Sequence, residues 1–370
     1  MINILYLILF AGMLIAGLMT GQIWCIAVCI VMAAAVAVSA LLTKLAARNA
    51  EFIITVPGVV SKNQRFKVEI NLRSNNFLPL GMVSCTLLCR NRLTGETHSY
   101  KINNSDARFT LSSKYCGCLD ISLENIRFHE WFNIISFTDG RKVKGRVLVM
   151  PDMFELDPVA PPATPTLKDT EEYSQDKKGQ DRTETFQIRD YVPGDALSQI
   201  HWKLSSKAGH PVVRDASLPV DHSLAIFWDR RAYGEDPPAA DAIMEAITST
   251  ATAYTEAGYA YTLLWNEDTI HTFEVSNPEQ LPEAISSLLK AAPPEKNMSG
   301  AEIYLKSRSE PQSGRVLYFT RLIPETVSAI REMTDILIFL CEGTNPVDTS
   351  MADVVFTPAN MKEVFQGLLI

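Results

Sequence analysis

Charge is absent from one end of this chain: residues 1–43 contain no Asp, Glu, Lys or Arg, and the first such residue is Lys44. A run of that length excludes a helix of an ordinary soluble core and calls for hydrocarbon as its solvent. It divides into two apolar segments, 4–19 and 23–43, split at Thr20, Gly21 and Gln22, with Trp24 at an interfacial position. The expectation is a transmembrane helical hairpin over residues 1–48; the first segment is short for a full span, and an alternative in which it only dips into the bilayer stays open and moves the amino terminus alone. A cleavable signal peptide competes, but it needs a positively charged start and a shorter apolar core. Basic tracts are also missing. The net charge is −8 with no aromatic-basic strip, which disfavours non-specific attraction to nucleic acid or to anionic lipid headgroups.

Paired cysteines are missing as well. There are seven, an odd number; Cys25 and Cys29 lie in the apolar run, leaving Cys85, Cys89, Cys116, Cys118 and Cys341. In an extended segment Cys85 and Cys89 stand about 13 Å apart, too far for one disulfide or one zinc ion. Cys116 and Cys118 lack the two-residue spacer of a zinc knuckle, so buried free thiols are expected. No glycine-rich phosphate loop, no Gly-any-Ser-any-Gly elbow and no histidine pair at metal spacing appears. Catalysis and cofactor binding have no visible machinery.

Lys44 and Arg48 follow the second apolar segment, and Lys62, Arg65 and Lys67 come soon after. This bias places everything beyond the hairpin in the cytoplasm. Residues 49–151 change to short alternating runs, at 66–72, 83–89, 98–102, 108–111, 118–126 and 143–150, separated by turn residues. Phe66, Val68, Ile70 and Leu72 show the period of two most clearly. An all-β, immunoglobulin-like sandwich follows, without an intersheet disulfide. His129, alone beside Trp131, has no nucleophile or orienting partner near it in sequence and is expected to be an ordinary loop histidine.

Prolines at 151, 158, 161, 162 and 165, then mixed charge with few apolar residues, make 152–184 an exposed linker. Residues 185–219 are the densest stretch in functional residue types. Arg189, Asp190, Tyr191, Val192, Pro193, Gly194 and Asp195 lead through Ile200, His201, Trp202, Lys203 and Lys207 to Arg214 and Asp215. Pro193 and Gly194 suit a tight turn, and Asp195 can cap a helix beginning at Ala196. Ile200 and Trp202 supply apolar anchors. Arg189, Lys203, Lys207 and Arg214 pair with Asp190, Asp195 and Asp215, or reach a partner. A structural clasp and a binding surface are both open on this pattern.

From 220 to 370 strands alternate with helices. Strands are expected at 223–228, 259–265, 270–275, 315–320, 336–341 and 354–356, and helices at 238–257, 282–289, 324–333 and the carboxy terminus. Such alternation gives a mostly parallel, doubly wound sheet, whose ligands bind where strand order reverses.

The run from Arg189 to Asp215 resembles the signature of the domain of unknown function 58 family, with Ser198 replacing a usually basic residue. That resemblance implies two membrane segments, a β-sandwich and a von Willebrand A-like α/β domain. A MoxR-type AAA+ ATPase is the partner it implies, in assembly or cell-envelope maintenance. In a von Willebrand A domain, Asp-any-Ser-any-Ser after the first strand binds a divalent ion. Here the matching residues are Asp229, Arg230, Arg231, Ala232 and Tyr233, with Thr320 and Arg321 at the fourth strand. Both serines are lost and arginines arrive, so a degenerate site without metal is expected. The leading expectation is a membrane-anchored, non-enzymatic interaction protein. A hydrolase or transferase with Asp190 or Asp195 as base, His201 as shuttle and Arg189 or Lys203 as anion clamp is the second, and a metal-dependent adhesion receptor the third.

Overall fold

The computed structural model describes residues 2–74, 81–103, 107–158, 164–165, 173–192, 199–221, 224–230, 236–294, 298–306, 314–344 and 347–368. The chain forms two compact units, Met1–Asp152 and Met153–Ile370.

Unit 1 opens with two helices, α1 (Ile2–Thr20) and α2 (Ile23–Arg48). Both are long and apolar enough to cross a membrane. They pair antiparallel because Gly21, at φ 63°, turns the chain in the left-handed region and Gly17 lets the backbones approach. A Cβ on Gly17 would lie 3.0 Å from Cβ of Cys25.

Nine strands follow among the described residues: β1 (Ala50–Thr55), β2 (Val59–Ser61), β3 (Phe66–Ser74), β4 (Val83–Asn91), β5 (Thr97–Ile102), β6 (Ala107–Leu111), β7 (Gly117–His129), β8 (Ser136–Asp139) and β9 (Val143–Met150). One sheet has the order β1-β3-β6 and the other β2-β9-β7-β4-β5, with β8 on β7. Alternation along the strands turns one face of each sheet inward: Val68 and Ile70 from the first meet Leu87, Ile121, Leu123 and Val147 from the second in one apolar core. This is a two-sheet sandwich. The strands β1, β2 and β8 add to the six runs expected from sequence. All seven cysteines are free thiols. Cys85 and Cys89 face the core from alternate positions of β4, and burial pushes the Cys89 thiol up to about 11.

Unit 2 begins with β10 (Thr164–Pro165) and β11 (Tyr173–Asp190), then α3 (Trp202–Ala208) and β12 (Val212–Asp221). β12 lies between β10 and β11, antiparallel to both. The linker expected over 152–184 is therefore a strand from 173 onward. Its pairing is backbone hydrogen bonding with several register shifts, which needs no apolar periodicity to form.

The α/β part comprises β13 (Leu224–Trp228), α4 (Pro237–Glu256), β14 (Tyr261–Asn266), β15 (Ile270–Val275), α5 (Leu281–Lys290), α6 (Gly300–Lys306), β16 (Arg315–Thr320), α7 (Val327–Met333), β17 (Asp335–Cys341), β18 (Val354–Phe356) and α8 (Met361–Gln366). Sheet order is β15-β14-β13-β16-β17-β18. All neighbours are parallel except β14 and β15. In chain order this is 3-2-1-4-5-6, and the reversal falls between β13 and β16. Helix α4 is buried around most of its circumference, its Ser249 Oγ accepting from the Phe154 amide at 3.1 Å.

Candidate functional site

Two places carry candidate functional residues: the β11–α3–β12 segment and the strand-order reversal.

In the hairpin, Arg189 Nε donates to Asp215 Oδ2 at 3.0 Å, and Gln187 Nε2 shares that oxygen at 3.0 Å. Asp215 is buried while Arg189 is half-buried, so the ion pair ties the end of β11 to β12 away from most solvent screening. Asp190 lies outside this pair and accepts from or pairs with His210 Nε2 at 2.9 Å on the surface. The Tyr191 amide donates to Pro211 O at 3.0 Å. Pro193, Gly194, Asp195 and Ser198 lie outside the described residues.

The start expected at Ala196 lies outside the described residues; Gln199 is in a 3-10 turn, and a separate helix begins at Trp202 after an isolated bridge between Ile200 and Val213. That bridge holds Ile200 extended, which excludes a helix continuous through it. His201 is the N-cap, its Nδ1 accepting from the Leu204 amide at 3.3 Å. Ser205 Oγ accepts from the Val212 amide at 2.9 Å and donates to His201 O at 3.0 Å, pinning α3 to β12. Gly209 ends the helix at φ 77°, a conformation that suits glycine. Trp202 is 68 % exposed, so it is a surface residue and not the apolar anchor expected from sequence. No residue of this short helix is buried. Lys203 and Lys207 are exposed on it too, and Arg214 is half-buried on β12.

Of the residues named for a hydrolase, His201 gives Nδ1 to its own helix and Asp190 engages His210, while Asp195 lies outside the described residues.

At the reversal, Asp229 and Thr320 end adjacent strands and do come together. Thr320 Oγ1 donates to Asp229 Oδ2 at 3.1 Å, while the Gly300 amide donates to Asp229 Oδ1 at 2.5 Å. Asp229 thus caps the first turn of α6, and all three residues are buried. Asn266 clamps the next residue, its Oδ1 accepting from the Arg230 amide at 2.6 Å and its Nδ2 donating to Arg230 O at 2.8 Å. The Arg230 guanidinium reaches Ala291 O at 2.6 Å and lies 5.0 Å from the Trp228 ring centroid. Gly300 is required by crowding: a Cβ there would meet Phe227 at 2.9 Å and Asp229 Oδ1 at 3.0 Å. Asp236 accepts from the Thr344 amide and from Thr344 Oγ1. Burial pushes its carboxyl up, but these bonds and the Arg321 charge prevail and leave it below the usual aspartate range. No cluster of three or more His, Cys, Asp or Glu suited to a metal occurs among the described residues. Arg231, Ala232 and Tyr233 lie outside them.

Glu130 is a residue that sequence reasoning passed over in favour of its neighbour. His129 ends β7 with Nε2 at 2.9 Å from Ser84 Oγ, a cross-strand contact. Glu130 is buried, accepting from Ser39 Oγ of α2 at 2.6 Å and from the amides of Phe132 and Ile134 at 2.6 and 2.7 Å. A single acid inside an aromatic run was the signal that could have found it.

No protein-family model and no curated protein matches the chain. Solved structures similar to part of it include a CARDB domain from Pyrococcus furiosus, in complex with di-metal ions, at 12 % identity. That match covers 27 % of this chain and 87 % of the other, with a TM-score of 0.20. A cohesin module from a Clostridium perfringens family 33 glycoside hydrolase is similar at 12 % identity over 27 % of this chain and 96 % of the module, with a TM-score of 0.21. Scores this low carry no argument, and the architecture rests on the strand order and register above.

Proposed function

We propose that this chain is a membrane-anchored, non-enzymatic interaction protein whose main body faces the cytoplasm. The hairpin α1–α2 spans the bilayer, and Lys44 and Arg48 at its exit favour the cytoplasmic side for both units. Resemblance of residues 189–215 to the domain of unknown function 58 signature supports a MoxR-type AAA+ ATPase as the partner. The 3-2-1-4-5-6 order with an antiparallel third strand supports a von Willebrand A-like reading of the α/β part. In that reading Asp229 occupies the position of the first metal ligand, but its two oxygens bond the Gly300 amide and Thr320 inside the protein. A cation there would compete with both bonds.

The observation that carries the proposal is Trp202, 68 % exposed on a helix braced by the His201 cap, the Ser205 staple and Gly209. A large, rigid aromatic beside Lys203 and Lys207 on a fixed support is the composition of an interface anchor. The ion pair Arg189–Asp215 then serves as the clasp holding that support in place. Replacing Trp202 and Lys203 together by Ala is expected to reduce recovery of a co-encoded ATPase in a detergent pull-down by about tenfold or more. Recovery equal to wild type, with an unchanged circular dichroism spectrum, rejects this surface as the contact.

A further inference from the structure

Unit 1 carries a second unassigned feature, at the charged end of the hairpin. Helix α1 has 19 residues. At about 1.5 Å per residue that is roughly 28 Å, so its whole length is needed to cross the hydrocarbon layer. Tyr6 Oη donates to Met32 O at 2.6 Å, and Cys29 Sγ lies 3.9 Å from Phe10 O. This pairing sets the start of α1 level with the neighbourhood of Ala37. The rest of α2, to Arg48, therefore projects beyond the hydrocarbon by about 16 Å at the helix rise.

The turn after β7 lies at that level. Phe132 packs on Tyr6 with ring centroids 4.6 Å apart, and Glu130 accepts from Ser39. Trp131, Ile134 and Ile135 are exposed around it by 48, 38 and 39 %, an apolar rim of the kind that faces lipid at an interface. From here α2 and β8 both lead away from the hydrocarbon. A cavity of about 520 Å³ opens between them, lined among others by Lys44, Arg48, Phe137, Asp139 and Arg141. Arg141 is committed to the scaffold: it bonds Asp139, and its Nη2 reaches Ala47 O at 2.8 Å. Lys44 and Arg48 are exposed, with Lys44 Nζ 6.0 Å from the Phe137 ring centroid. Three cations against one carboxylate leave the cavity positive.

We propose that this cavity holds the phosphate of an anionic phospholipid from the leaflet that Lys44 enters, with the apolar rim at 131–135 against the adjoining acyl chains. Aromatic and aliphatic groups above, basic groups below, is the order of a leaflet from acyl chain to headgroup. The inference rests on the reading that the hairpin spans the bilayer.

The full chain is purified in neutral detergent and titrated with phosphatidylglycerol, with phosphatidylcholine and, separately, with inorganic phosphate, and bound species are counted by native mass spectrometry. Wild type is expected to bind phosphatidylglycerol in preference to phosphatidylcholine, and to bind inorganic phosphate weakly. The double variant Lys44→Gln and Arg48→Gln, which spares Arg141, is expected to lose about thirtyfold in apparent affinity. A control pair of exposed sandwich cations, Lys101→Gln and Lys114→Gln, is expected to leave it unchanged. Equal loss in both pairs, no preference between the lipids, or inorganic phosphate binding as tightly as the lipid each overturns the proposal. In parallel, Trp24 quenching by brominated lipid is read in nanodiscs as the difference between wild type and Trp24→Phe. Quenching there together with any overturning result removes the lipid site and keeps the spanning hairpin. No quenching removes the hairpin reading itself.

Discussion

Glu130 shows how one side chain joins an apolar amino-terminal helix to the β-sandwich. Burial raises its pKa, but the Ser39 hydroxyl and the amides of Ile134, Phe132 and Ile135 hold the charged form more strongly, leaving the carboxyl below the ordinary glutamate value. The sign follows: the native pKa is depressed, so the charged form's stabilisation is complete above the unfolded value of about 4.3 and is lost as pH falls through the lower native value. Glu130→Gln is expected to lower stability at neutral pH by about 1.5–3 kcal/mol, the range for hydrogen bonds to a charged group. The same substitution flattens the acid limb of the melting profile below pH of about 4.3. Thermal melts of the full chain in detergent across pH measure both; coincident profiles for the variant and wild type remove Glu130 from the junction. Sequence reasoning weighed His129 because histidine is the residue that titrates near neutrality. What fixes Glu130 is a hydroxyl 91 positions earlier in the chain, a contact that no local pattern records.

At the scale of elements, legibility followed the source of each element's stability. β4 was readable because Val83, Cys85, Leu87 and Cys89 alternate into the core, and α4 because an apolar helix announces its length. β2 and β8 are three and four residues long, too short for a period to show. α3 has no buried residue and draws on capping bonds, and β11 pairs with several register shifts, so neither carries the periodicity that marks an element in sequence. The same reasoning locates the weak point of the clasp. In Ser205→Ala the hydroxyl that accepts from the Val212 amide is lost, and nothing of equal reach replaces it. Amide exchange at Val212 is expected to rise about fivefold to tenfold, the effect of a hydrogen bond worth ~1 kcal/mol. Exchange within β13 stays unchanged in the same sample. Wild-type protection at Val212 in the variant assigns the docking of α3 to other contacts.

For the whole molecule, the side of the membrane is the property on which the proposed partner depends, since an ATPase needs both units in the cytoplasm. One sequence feature supports that proposal: Lys44 and Arg48 lie just past the second apolar helix, where positive charge favours retention in the cytoplasm. Lys203 and Lys207 on α3 are exposed trypsin sites in unit 2, so the two arrangements separate in one assay. Cleavage at α3 is expected in inside-out vesicles and in detergent-opened cells, with intact cells and right-side-out vesicles protected. The reverse pattern would put the clasp outside the cell, disconnect it from any cytoplasmic ATPase, and leave an extracellular adhesion role as the reading in better accord with the surface around Trp202.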